Sequence, residues 1–154
     1  MKKPKYMEEL LKTIFLWLGV AFIAMVFFCF IGVVKPKASS HVQEPILLGI
    51  IFAGLGLLFT IVSIALGVIT AKKEKLHSEL IASGMQVKGT VEEVYLQTGT
   101  QYGKQSPYRV VYAYSYQDKA YHCKSHFLWK KPNLAVGESI MVYVNDEGKS
   151  TVGL

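Results

Sequence analysis

The chain has 154 residues, 51% of them hydrophobic and 18% charged, with a net charge of +6 and two cysteines. The apolar residues crowd into the first half, which excludes a single evenly cored domain, and two cysteines on distant segments exclude a disulfide-stapled fold. The charge divides as +4 over residues 1–80 (nine lysines, five acids) and +2 over 81–154 (eight basic, six acidic), whereas a nucleic-acid binder would carry the excess on its folded domain.

Thr13 to Val34 is a run of 22 residues without a charge, and Ile46 to Ala71 is a second of 26. A hydrocarbon core of about 30 Å takes ~20 apolar helical residues to cross. Both runs qualify, and KPKASSHVQEP between them makes the pair a transmembrane hairpin. Lys2, Lys3 and Lys5 also suit the start of a signal peptide. The first run exceeds the ~7–15 residues of a signal h-region, however, and lacks a small-residue cleavage site, so a retained span is expected. Lys2, Lys3, Lys5 and Lys12 precede the first span and Lys72, Lys73, Lys75 and Lys88 follow the second, against Lys35 and Lys37 in the loop. The positive-inside bias then predicts two cytoplasmic termini on a multi-pass protein of the cell (plasma or inner) membrane. No Asp, Glu, Lys or Arg interrupts either run, which argues against an ion pathway or proton relay.

In the second span Gly49, Ala53, Gly56, Thr60, Ser63 and Gly67 recur at alternating steps of four and three, a seam of small residues on one side of a helix. Such seams let membrane helices approach closely. Phe15, Phe22, Phe27, Phe28 and Phe30 of the first span are the expected bulky complement; a second copy of the chain, in a homo-oligomer, is the alternative destination. AKKEKLHSELIASG then continues the helix to about Ser83. Lys75 and Glu79 form an i,i+4 pair, Leu76, Leu80 and Ser83 share a stripe widened by Ile81, and Gly84 supplies the stop. The expected division is residues 1–83 for the flank, the spans (13–34 and 46–71) and the juxtamembrane helix, and 84–154 for a β domain.

From Met85 the hydrophobic period becomes two. Val87, Gly89 and Val91 take one face; Val94 and Leu96 take the opposite parity across Glu92-Glu93, the mark of a β-bulge. Strands are expected over Gln86–Leu96, Tyr108–Tyr116, Ala120–Leu128, Ser139–Val144 and, briefly, Thr151–Gly153. A hairpin turn centred on Asp118-Lys119 pairs Tyr116 with Tyr121, Tyr114 with Cys123, Tyr112 with Ser125 and Val110 with Phe127, giving one continuous aromatic face. The opposite face pairs Ser115 with His122, Ala113 with Lys124, Val111 with His126 and Arg109 with Leu128. Four or five strands in this length suggest a small antiparallel barrel of the SH3-like or OB-like kind. The predicted class is thus an α+β membrane protein, a two-helix hairpin followed by that barrel.

Gly89 and Val91 in MQVKGTVEEV, the hairpin YRVVYAYSYQDKAY, and Gly137, Val142 and Tyr143 in KKPNLAVGESIMVYVN resemble the bacterial membrane-anchored family known as domain of unknown function 3592. The resemblance covers about 70 residues. It departs at Asp118-Lys119, where the family carries glycine, and at Asn145-Asp146-Glu147, where it carries proline. It implies a membrane-tethered β domain and no activity.

The chemical motifs are sparse. Gly99-Thr100-Gln101-Tyr102-Gly103-Lys104-Gln105-Ser106 imitates a phosphate loop, but it has three residues between its glycines and no Ser or Thr after the lysine. His122, Cys123 and His126 look like zinc ligands, yet on a strand the histidines lie about 13 Å apart (~3.3 Å per residue) and the thiol points to the other face. His41 and His77 sit on other segments. No nucleophile elbow occurs, and Glu92 and Glu93 face opposite ways. Neither a catalytic site, a metal nor a cofactor is expected. The leading expectation is a non-enzymatic membrane-anchored module that binds or scaffolds another membrane or cytoplasmic protein, with Tyr102, Arg109, Trp129, Lys130 and Lys131 as candidate contacts. Two rivals are an immunity-type or accessory protein acting through its hairpin on a membrane target, and a barrel that binds a ligand or nucleic acid.

Overall fold

The structure, a computed structural model, describes residues 3–32 and 45–154. Val33, Val34 and the hairpin loop with Lys35, Lys37 and His41 lie outside the described residues. Two helices, α1 (Met7–Phe30) and α2 (Pro45–Ser83), precede five strands: β1 (Met85–Leu96), β2 (Tyr108–Tyr116), β3 (Lys119–Lys124), β4 (Ser139–Val144) and β5 (Ser150–Val152). Contacts gather into two compact units. One is Glu8–Thr70; the other joins the N-terminal residues up to Met7 to Ala71–Leu154. The partition therefore differs from the division expected at residues 83 and 84.

In the helical unit α1 and α2 run antiparallel. Ser63 Oγ donates to Lys12 O at 3.0 Å, Phe15 stacks on Phe59 at 5.7 Å, and Phe22 meets Phe52 at 5.9 Å. At the closest approach a Cβ on Gly56 would lie 3.3 Å from Gly19 O, and one on Gly19 would lie 2.8 Å from Thr60 Oγ1. The seam does receive side chains of α1, with Ile23 over Gly56, Lys12 beside Gly67 and Cys29 near Gly49. Phe15 and Phe22 instead meet the rings of Phe59 and Phe52. Backbones brought together at Gly19 and Gly56 leave no hole for a phenyl ring. Ala53 stands exposed, Phe52 takes its place, and Phe27, Phe28 and Phe30 are exposed. Both helices are long and apolar enough to cross a membrane. Trp17 is 69% exposed, Leu57 64% and Phe30 74%, values foreign to the core helices of a soluble protein.

The β unit is one antiparallel sheet in the order β3-β2-β1-β4-β5. Its register shifts between Val91 and Glu93, so Glu92 is the extra residue of the expected bulge. Val91, Val110, Tyr112, Tyr114, Ile140, Val142, Val144 and Val152 fill the concave side. The sheet curls until tyrosines of β2 reach across that side. Tyr112 Oη and Ser150 Oγ are 3.3 Å apart, and Tyr114 Oη donates to Gly148 O at 2.9 Å. Backbone pairing stops at β3 and β5, so the closed barrel expected from the strand count is a half-barrel whose gap is bridged by side chains.

The hairpin register is also corrected. Tyr114 pairs with Tyr121, Tyr112 with Cys123, Ala113 with His122 and Val111 with Lys124. The turn is Gln117-Asp118, with φ of 49° and 58°, the conformation of a two-residue type I′ turn. A slip of two residues leaves every side chain on its predicted face, and burial therefore could not choose between the registers. The Tyr114–Tyr121 pair, stacked at 5.1 Å and 10°, rewards the observed one.

Candidate functional site: a basic pocket in the β unit

The ladder between β2 and β3 ends at Lys124 because a side chain takes over. Ser125 Oγ accepts the Val110 N–H at 3.0 Å and donates to His126 O at 2.9 Å. Pairing resumes at Tyr108 and Leu128 with one residue gained, in place of the continuous strand expected to Leu128 and the Arg109–Leu128 pair. Phe127 is buried and His126 is turned beside His77 of α2, the ring centroids 5.1 Å apart. His77 Nδ1 is itself hydrogen bonded to Thr151 Oγ1 of β5 at 2.6 Å.

These residues frame a pocket of about 260 Å³. Lys73, Leu76 and Leu80 of α2 form one wall, Arg109 and Tyr112 of β2 the floor, and Lys124, Ser150 and Thr151 the rim, with Tyr6 contributed by the N-terminal segment. Leu80, on the predicted stripe, is 3% exposed. Gly84 stands at the end of α2 as expected; its N–H donates to Leu80 O at 2.8 Å, and a Cβ there would collide with that oxygen, so only glycine fits. The Arg109 guanidinium lies 4.8 Å from the Phe127 ring, while its Nε is buried without a hydrogen-bond partner among the described residues. Lys124 Nζ reaches to within 6.0 Å of the Tyr95 ring.

The electrostatics are those of a positive enclosure. Burial first, then His77, Lys5 and Arg109, push the His126 imidazole down to about 4. Burial and Lys5 lower His77 as well, against an opposing pull from Glu74. Burial raises the Tyr112 phenol to about 12, partly countered by its bond to Ser150.

The predicted contact residues are divided. Lys130 and Lys131 are exposed after β3, as expected of a connection. Trp129 is half-buried: its Nε1–H donates to Pro4 O at 2.8 Å, and Lys3 Nζ lies 5.6 Å from its ring. Tyr102 packs edge-on against it at 6.0 Å. Arg109 belongs to a strand and to the pocket. The phosphate-loop mimic is a miniature hairpin closed by the Tyr102–Gln105 bridge, with Gly103 and Lys104 at positive φ. His122 Nδ1 pairs with the Glu92 carboxylate at 3.0 Å, and among the described residues no three His, Cys, Asp or Glu side chains gather as a metal site. The N-terminal segment and the His77–His126 pair were missed in the sequence; the stripe through Leu76 and Leu80, which needed a cover, was the one available signal. No family model, curated protein or solved structure matches the chain.

Proposed function

We propose that this chain is a non-enzymatic, membrane-anchored binding module. α1 and α2 cross the bacterial inner membrane as a hairpin, both termini lie in the cytoplasm, and the half-barrel, a relative of small SH3-like or OB-like barrels, is presented there to another membrane or cytoplasmic protein. The observation that carries this reading is the membership of the β unit. Residues bordering both apolar helices, up to Met7 and from Ala71 on, belong to it, so the chain enters and leaves the helical unit within α1 and α2 themselves. Kinship with domain of unknown function 3592 would add the same tethered fold and no chemistry.

The test is labelling by a membrane-impermeant maleimide in intact cells, with Cys29 and Cys123 replaced by alanine. Ser40→Cys in the hairpin loop is expected to react at once, and Glu147→Cys only after lysis. The reverse pattern sinks the cytoplasmic assignment, and equal reaction of both in intact cells sinks the spanning hairpin. Lys130→Glu with Lys131→Glu is expected to release proteins that co-purify from solubilised membranes. Unchanged co-purification removes that surface from the reading.

A further inference from the structure

We propose that the pocket between the end of α2, β2 and β5 is a binding site for a phosphate-bearing anion, held by Arg109 and the His77–His126 pair with Lys73 and Lys124 at its rim. Among the described residues that line it, three are permanent cations and none is an acid; the neighbouring Glu74 acts on His77 from outside the lining. Arg109 lines the pocket with its guanidinium 4.8 Å from the Phe127 ring, and no carboxylate in the lining meets its charge. Ser150 and Thr151 at the rim are already bonded to Tyr112 and His77, which leaves the cations as the main donors. Three cations offer more N–H groups than the two oxygens of a carboxylate can take up, and they suit the three or four oxygens of a phosphate.

The histidines give the same site a pH readout. Their rings are kept neutral by burial and by Lys5 and Arg109 around them. A bound anion offsets the positive charge of those surroundings, so binding draws in protons. Affinity is then expected to rise as pH falls from 7.5 to 5.5, in the opposite sense to the titration of a phosphate monoester. The chemistry is shared by a phospholipid headgroup and a soluble phosphate ester. Lys73 follows Ala71, the last residue of the apolar run, by two positions, which puts a headgroup within its reach; that choice of source rests on the bilayer reading above, whereas the anion site does not.

The experiment uses the full chain in detergent with Trp17→Phe, so that Trp129, whose ring lies 6.3 Å from Phe127, reports the β unit. The probe is inorganic sulfate, which does not titrate in this range. Saturable binding is expected, about tenfold tighter at pH 5.5 than at 7.5. Arg109→Gln is expected to weaken it about tenfold or more and the exposed Lys124→Gln about threefold, while His126→Gln flattens the pH dependence. Absence of saturable binding overturns the proposal. So does an equal loss from Lys130→Gln with Lys131→Gln, which would mean diffuse surface charge. Because Lys124→Gln leaves the core untouched, misfolding of the Arg109 variant does not shelter the idea. Nanodiscs name the source. If phosphatidylglycerol abolishes the sulfate response seen in phosphatidylcholine and Lys73→Gln restores it, the ligand is a lipid; an equal response in both discs assigns a soluble phosphate.

Discussion

Gln117 and Asp118 both hold positive φ, a conformation that glycine adopts freely and that costs an L-residue with a long side chain about 1 kcal/mol. Asp tolerates it better than Gln, so the turn is functional but strained at its first position. Gln117→Asn with Asp118→Gly is expected to stabilise the β unit by about 0.5–1 kcal/mol, read as a higher Tm in detergent; a lower Tm would place the turn elsewhere. Tyr114 tests the curl. Tyr114→Phe deletes the bond to Gly148 O and is expected to cost about 0.5–1.5 kcal/mol. The tyrosine face was legible because alternation fixes parity, but the partner of each tyrosine was not. Registers two residues apart bury the same side chains, and only the φ demand at the turn separates them. His126 gives the pH dependence. Its folded pKa of about 4 lies below the ordinary 6.5, so the unfolded chain binds more protons between those values and stability falls as pH drops from about 6.5 toward 4. The ring is half-buried, which discounts the penalty to about 1–2 kcal/mol. In sulfate-free and phosphate-free buffer, Tm against pH should slope less over that window in His126→Gln; an unchanged slope would place the acid sensitivity on other groups.

At the scale of elements, the apolar runs, the bulge and four strand positions followed from period and composition. The helix partners were only half legible. A seam of small residues is visible on α2, but Gly19, its counterpart on α1, is a lone glycine among bulky residues, and nothing local announces which turn of one helix meets which turn of the other. Contact is decided by the pair: Gly19 and Gly56 admit the backbones, and Phe15, Phe22, Phe52 and Phe59 stack alongside. Gly56→Ile tests this. Even a first Cβ at that position would sit 3.0 Å from Ile23 Cγ1, so the helices must part. With cysteines placed at Phe22 and Phe52 in a chain lacking Cys29 and Cys123, bismaleimide crosslinking within one chain is expected to fall several-fold in Gly56→Ile. Crosslinks that form only between chains would assign the seam to a homo-oligomer.

For the whole molecule, the least expected feature is that the first residues of the chain complete its last domain. A segment of lysines before a hydrophobic run reads as a topology signal, and its charge explains it without any contact. What the charge conceals is backbone. Pro4 O and Lys5 O accept from Trp129 Nε1–H and the Phe127 N–H at 2.8 and 2.9 Å, and main-chain acceptors carry no signature in the side-chain pattern. The segment covers an indole and a phenyl ring that would otherwise face water, and it brings Lys5 close enough to depress both His77 and His126. Removing it should therefore act on two observables. Deleting residues 3–6 in a Trp17→Phe chain is expected to shift Trp129 emission to the red and to lower the Tm of the β unit by several degrees, an effect of about 1–2 kcal/mol from two lost hydrogen bonds and the uncovered rings. Lys5→Gln keeps the backbone bonds and removes only the charge. It should leave emission and Tm near their starting values while raising the His126 pKa, followed by NMR titration of the imidazole. Equal behaviour of the two variants would mean that the segment acts through charge alone and that the bonds to Trp129 and Phe127 contribute nothing to the fold.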